Sequence, residues 1–441
     1  MVSEVQHLQD LIASSFVPAL KNDLDDTPLQ SEQFNEYRKY LELQVPILYD
    51  LLQQKQQWIF ESEEQEAFET LANLLALLCE ITATSTIYRL SDEKIQRNAN
   101  RILREQLPIK TVAVEQLIFT FYQEKLNKVK WKKQLGAVHG FLQFLQLQYC
   151  AQTIPKQWVN FCLSIGLTVR ESHEPTCKRM GILIFQLLLN SSNFSYIQEQ
   201  NIHSVIYDSA YKDVDFLDSV ESATDVWKCL YSCLNFFTDL DSFKWSQLDD
   251  LMEKAIKNVT MASDSIISLC HLQFVIKFAV YFAINQKEIE NHCESDLNDP
   301  AALEQCRNVC VTNNSYTIFR WAKNILNMFT VNSYKLMQDK EISKKFLLEI
   351  HKCYLVCIMP IELQIIGPLL LQFLEKFTIV LMQVMNSHKM DLEIIKLVHM
   401  TLETFKFQLQ YSPHINESKD FEKLYKALTQ LLKHNTFVQN K

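Results

Sequence analysis

This 441-residue sequence predicts an all-α fold, an α-solenoid of degenerate HEAT- or armadillo-like antiparallel helix pairs, and three observations carry the expectation. Apolar residues recur at spacings of three and four along nearly every segment. Glycine is almost absent. Prolines fall at the breaks between apolar-periodic segments rather than inside them.

The spacing comes first. Leu135, Val138, Leu142 and Leu145 lie on one face of a helix, as do Trp158, Phe161, Ile165 and Val169, whereas strict alternation, the mark of a strand, is hard to find. The five glycines, Gly136, Gly140, Gly166, Gly181 and Gly367, compare with about thirty at average usage. Sheet-rich folds and phosphate-cradling loops need glycine at tight turns, and helical hairpins do not. Thr27-Pro28, Leu107-Pro108, Ile154-Pro155, Glu174-Pro175, Met359-Pro360 and Ser412-Pro413 each disfavour helix at the residue before the ring. Ser62 followed by Gln65 reads as a capping box.

In chain order, the reading is an N-terminal helix over 1–21 and an acidic linker over 22–33, carrying Asp23, Asp25 and Asp26 ahead of Pro28. A continuous helical solenoid follows over 34–441, because short connections between helices of similar length force antiparallel neighbours. It is interrupted by a long polar surface loop at about 286–315, with a short helix expected at 301–311. A single compact helical domain is the structural alternative.

Composition excludes several functions. A formal net charge of −9 argues against general affinity for nucleic acid or an acidic membrane surface. The most apolar stretches, 353–374 and 269–284, are interrupted by Pro360, Glu362 and Pro368 and by Lys277, so neither reads as a membrane span. Twelve cysteines in so long a chain, behind a polar N-terminus, read as reduced thiols, and the sequon-like triplets at Asn193, Asn258 and Asn313 as chance matches.

Three cysteine pairs have i, i+4 spacing: Cys229 with Cys233, Cys306 with Cys310, and Cys353 with Cys357. Each puts two sulfurs on one helix face, half of a tetrahedral zinc site, and only His292 and Cys293 beside Cys306 and Cys310 make a local set of four. Their spacing matches no zinc finger, and buried thiols are ordinary core residues. The histidines are scattered, and no metalloprotease motif, serine elbow, phosphate-loop lysine or dinucleotide fingerprint occurs. The reading is therefore a chain with no catalytic, cofactor or metal residues. Partner binding is the remaining chemistry. Lys128, Lys130, Lys132 and Lys133 around Trp131 form the most basic patch, suited to an acidic strip on a partner or else a solvated helix start. Trp245 and the pair Arg320-Trp321 are interface candidates by residue type, with core packing as the alternative.

Features between Trp131 and about Met328 carry a family resemblance: Trp131-Lys132-Lys133-Gln134-Leu135-Gly136 and a helix through Leu145, then Lys178, Gly181 and the apolar run to Leu189-Asn190. Asn201 ahead of Val205-Ile206-Tyr207, and later Arg320-Trp321, complete the series. In this order they resemble the TELO-two-interacting protein two family, the smallest subunit of the TTT cochaperone complex. The resemblance implies an α-solenoid that binds the larger Tti-type solenoid and, through it, the Tel-type subunit. Together with the ninety-kilodalton heat-shock chaperone, that assembly matures phosphatidylinositol-3-kinase-related kinases in the cytoplasm, with the nucleus as a second location. It implies neither a nucleic-acid nor a membrane partner. The alternative function is a HEAT-type transport or trafficking adaptor on the same fold, and a helical hydrolase ranks below both.

Overall fold

The computed structural model describes residues 2–24, 26, 30–82, 91–107, 109, 111–127, 130–240, 242–282, 300–312, 317–361, 363–389, 391–410 and 419–439. Among them every extended regular element is a helix, and the only β pairing is an isolated bridge from Ile154 to Ser192. The chain is all-α. It forms two compact units, Met1–Lys212 with Lys228–Phe236, and Asp213–Trp227 with Phe237–Lys441.

The first unit contains α1 (Val2–Ser14), α2 (Asn35–Gln54), α3 (Gln56–Glu61), α4 (Gln65–Thr82), α5 (Glu93–Gln106) and α6 (Val112–Lys125). It continues through α7 (Leu135–Gln148), α8 (Lys156–Arg170), α9 (Pro175–Ser191), α10 (Phe194–Glu199) and α11 (Ile202–Tyr211). The division between the units falls inside α12 (Val220–Leu234). The expected apolar faces are buried: Leu135, Val138, Leu142 and Leu145 on α7, and Trp158, Ile165 and Val169 on α8. Phe119 stacks on Trp158 with centroids 4.1 Å apart, and Phe141, Phe144, Tyr149 and Phe161 gather around Phe119.

Two helix pairs approach closely because of glycines. α8 and α9 run antiparallel, with a Cβ on Gly181 falling 2.7 Å from the Gly166 carbonyl and a Cβ on Gly166 falling 2.7 Å from the Phe185 ring. α4 and α7, which are not consecutive, meet at Gly140, where a Cβ would lie 2.6 Å from Glu80 Cγ and 3.1 Å from its backbone nitrogen. Here the glycines serve interhelical contact rather than turns.

The second unit contains α13 (Gln247–Met261), α14 (Ser265–Val280), α15 (Pro300–Thr312), α16 (Ala322–Val331), α17 (Lys340–Cys357), α18 (Leu363–Ser387), α19 (Leu392–Gln410) and α20 (Lys419–Gln439). Its core holds Phe329, Tyr354, Phe373, Phe377 and Phe405 in mutual ring contact. Trp227 packs against Phe274 and Phe278 of α14.

Several boundaries differ from the sequence reading. The N-terminal helix ends at Ser14 instead of 21, because Pro18 cannot continue a helix and disfavours helix at Val17. Most of 22–33 is irregular where described, but Leu24 is buried and Ser31–Phe34 forms a 3-10 turn, so it is not a free linker. Ser62 makes no capping box: α4 starts three residues later, and the Ser62 hydroxyl accepts from the Glu64 N–H instead. The helix expected at 301–311 is α15, with Pro300 at its first position and Leu303, Cys306 and Cys310 buried. The flanking parts of the polar loop, 286–299 and 313–315, lie outside the described residues.

Pro368 does not interrupt its apolar stretch. It sits within the first two turns of α18, and Ile365–Ser387 is long and apolar enough to cross a membrane by length and composition. The helix is nonetheless two-sided. Ile366, Leu370, Phe373, Phe377, Leu381 and Val384 are buried on one stripe, while Gln372, Glu375, Lys376 and Gln383 are exposed on the other, the pattern of a core-facing helix.

Candidate partner-binding surfaces

The basic segment resolves into one buried residue and three positions around it. Trp131 opens a 3-10 turn, Trp131–Lys133, and is 3% exposed, so it anchors the turn in the core and offers no stacking surface. Lys130 is exposed, Lys132 is half-buried, and Lys133 forms an ion pair with Asp23 at 3.7 Å. Lys128 lies outside the described residues. The backbone of this turn is engaged as well, since the Lys133 and Lys132 carbonyls accept from the Leu20 and Leu24 N–H groups at 2.8 and 3.2 Å. The acid that Lys133 meets belongs to the chain's own N-terminal segment.

In the second unit the structure brings Trp245, Arg320 and Trp321 together. Asp249, in the first turn of α13, is completely buried, and its Oδ1 accepts the Trp321 indole N–H at 3.0 Å and pairs with Arg320 Nε at 3.2 Å. Its Oδ2 accepts the Ser246 N–H at 2.9 Å, the reach-back of a capping-box acid to the residue that starts the helix. Arg320 also donates to the Thr317 and Ser242 carbonyls, at 3.1 and 2.7 Å, and its guanidinium lies over the Phe282 ring. One buried carboxylate thus ties the 242–246 segment to the 3-10 turn Ile318–Trp321.

That anchored base carries exposed aromatics. Phe243 follows Ser242, Phe319 precedes Arg320, and Trp245 packs its ring 5.6 Å from Trp321 while donating to Asp250 at 2.7 Å. Phe243, Trp245 and Phe319 are 75%, 58% and 41% exposed. Trp321 itself, at 3%, is core. Of the three predicted interface residues in this cluster, Trp245 is presented to solvent, and Arg320 and Trp321 act from below.

No protein-family model matches this chain, and a search of curated proteins returns no match.

The remaining titratable groups are placed for structure. All three cysteine pairs are buried, with the Cys353 and Cys357 sulfurs 3.6 Å apart, and burial pushes the Cys233 and Cys353 thiols well up, away from the thiolate a metal requires. Among the described residues no group of three or more His, Cys, Asp or Glu could hold a metal ion, and His292 and Cys293 lie outside them. His271 accepts the Trp227 indole N–H at 2.8 Å, and burial lowers it to about 4. His351 shares Thr404 with Arg307, and burial, then the Arg307 charge, lowers it to about 3. Both are neutral near pH 7, the state that a buried imidazole prefers.

Lys335 is a buried ammonium. Its Nζ donates to the Val259 and Ala262 carbonyls and the Ser268 hydroxyl, at 3.1, 3.2 and 2.7 Å. Three donors meet three acceptors, two of them carbonyls at the C-terminal end of α13, where a cation is favoured. Burial lowers Lys335 to about 8. Each of these groups is engaged by core partners, an arrangement that serves folding.

Proposed function

We propose that the chain is a non-enzymatic scaffold, an α-solenoid of antiparallel helix pairs that serves as a subunit of a TTT-type cochaperone assembly. In this reading it binds the larger Tti-type solenoid and, through it, the Tel-type subunit, and supports chaperone-dependent maturation of phosphatidylinositol-3-kinase-related kinases in the cytoplasm and nucleus. The observation that carries the binding role is the aromatic surface of Phe243, Trp245 and Phe319, exposed on a base that Asp249 and Arg320 hold rigid. Large aromatics on a pre-ordered base lose little entropy on association, and they concentrate at the centres of protein interfaces. The order of features from Trp131 to Met328 supports the choice of assembly.

The second reading, a HEAT-type transport or trafficking adaptor, uses the same surface on different cargo. Affinity purification from cells separates the two. Wild-type chain is expected to capture kinase-maturation factors, and a Phe243→Ser, Trp245→Ser, Phe319→Ser variant with an unchanged melt is expected to lose them. Capture of transport GTPases or coat subunits in their place moves the adaptor reading ahead. An undiminished capture by the triple variant removes this surface from the interface.

A further inference from the structure

Residues Ser15 to Leu24 leave α1 without forming a helix and lie across the first unit as a strap. Its backbone is bound by groups outside the strap. The Val17 N–H donates to Glu80 Oε2 at 3.2 Å, and the Leu20 and Leu24 N–H groups donate to the Lys133 and Lys132 carbonyls. The Ser15 carbonyl accepts the Tyr37 hydroxyl at 2.8 Å. Side chains add to this. Phe16 stacks on Phe121 at 5.0 Å beneath Lys125, Val17 and Leu24 are buried, and Asp23 pairs with Lys133.

The surface beneath the strap is shaped to receive an extended peptide. At Gly136 a Cβ would stand 2.3 Å from Val17 Cβ and 2.7 Å from Glu80 Oε2, so the missing side chain is the space that Val17 fills. Glu80 is 2% exposed, and the strap amide supplies its hydrogen bond. The Tyr122 hydroxyl, 2.9 Å from a Cβ placed on Gly140, is buried with no hydrogen-bond partner among the described residues. On its other flank the strap borders a cavity of about 400 Å³, lined in part by Leu20, Asp23, Phe34 and Tyr37, so it is gripped mainly from one side. Main-chain hydrogen bonds combined with pockets for selected side chains are the way extended peptides are recognised in trans.

We infer that the trough made by Gly136, Glu80 and the Lys132–Lys133 carbonyls is a binding site for an extended partner segment, and that the strap fills it in cis until that segment displaces it. The strap defines the chemistry of the occupant: an aromatic and a β-branched residue, then leucine, then an acidic residue set against Lys133. The inference rests on the scaffold reading only for the existence of a partner. The peptide experiment contains none, so its failure leaves that reading standing.

The probe is a fluorescent peptide of residues 14–26 of this chain, offered to full-length wild type and to a Val17→Asp, Leu24→Asp variant whose own strap is loosened. A tethered strap competes at an effective concentration in the millimolar range. The loosened variant is expected to bind the peptide on the order of 100-fold more tightly than wild type does, and Gly136→Leu added to it is expected to abolish binding. A loosened variant that melts like wild type and ignores the peptide overturns the inference. If the loosened variant does not fold, hydrogen exchange on wild type decides. Val17, Leu20 and Leu24 amides are expected to exchange on the order of 100-fold faster than those of α4 and α7, as a locally opening segment does. Exchange together with those helices makes the strap part of the core and overturns the inference. Concentration-dependent dimers of wild type would assign the trough to the strap of a second copy, which also overturns it.

Discussion

Trp321 and Asp249 are joined by an indole-to-carboxylate hydrogen bond of 3.0 Å between side chains that are both buried, and the same oxygen holds Arg320. Removing the acid leaves the buried Trp321 indole N–H without its acceptor and the half-buried Arg320 without its counter-charge. Asp249→Ala is expected to destabilise the second unit by about 1–3 kcal/mol, the usual cost of leaving a buried donor unsatisfied. Denaturant unfolding followed by tryptophan fluorescence measures it, and a loss under about 1 kcal/mol would show that the carboxylate does not organise this surface.

Glu80 makes the first unit proton-dependent. Burial pushes its carboxyl up to about 8 from 4.5, against smaller opposing effects of the Val17 N–H and Lys125, and Tyr37, Tyr122 and Cys79 around it are uncharged. The folded unit therefore binds a proton that the unfolded chain has released, so stability is full below about pH 4.5 and falls as pH rises to about 8. Denaturant midpoints at pH 5, 6.5 and 8 are expected to decline, and Glu80→Gln is expected to flatten the decline. A slope that survives the substitution belongs to another group.

Lys335 has the opposite sign. Its folded value of about 8 lies below the unfolded 10.5, so between these pH values the unfolded chain binds more protons and the second unit gains stability as pH rises. Lys335→Met is expected to remove that rise. It should also cost about 1–3 kcal/mol at neutral pH, because the α13 carbonyls and Ser268 lose their donor. Melts of both proteins from pH 7 to 10 provide the check.

Gly140→Ala is expected to destabilise the first unit by about 1–3 kcal/mol, the range for overpacking. The added methyl would meet both the side chain and the backbone of Glu80, so α4 and α7 must separate rather than a side chain rotate. An unchanged melting temperature would show that the two helices are not held this closely.

The helices were legible because their cause is local: the period of three and four on α7 and α8 marks the faces that are buried. The end of α1 carried a signal too, in Pro18 and its effect on Val17. Side-chain direction was not legible. Trp131 amid lysines reads as exposed by composition, and tertiary packing turns it inward. The grouping of Trp245, Arg320 and Trp321 was half legible, since residue type marked all three and nothing local shows that 245 and 321 meet. Asp249 was missed although it carried a signal. Ser246 with an acid three residues on, ahead of Leu248, Leu251 and Met252, is a capping-box pattern, and it names the residue that holds the cluster. Glu80 carried none, because a lone acid in an apolar helix gives no hint of which segment will cover it.

The eleven described cysteines have a practical consequence. Ten are buried, and Cys150 alone among them is exposed. Among these eleven, a thiol-alkylating reagent applied to the native protein should therefore modify Cys150 first. Cys79, Cys162, Cys177, Cys229 and Cys233 lie in the first unit, and Cys270, Cys306, Cys310, Cys353 and Cys357 in the second. As the protein is warmed, the order in which these two sets become alkylated records which unit opens first, with no label added to the chain.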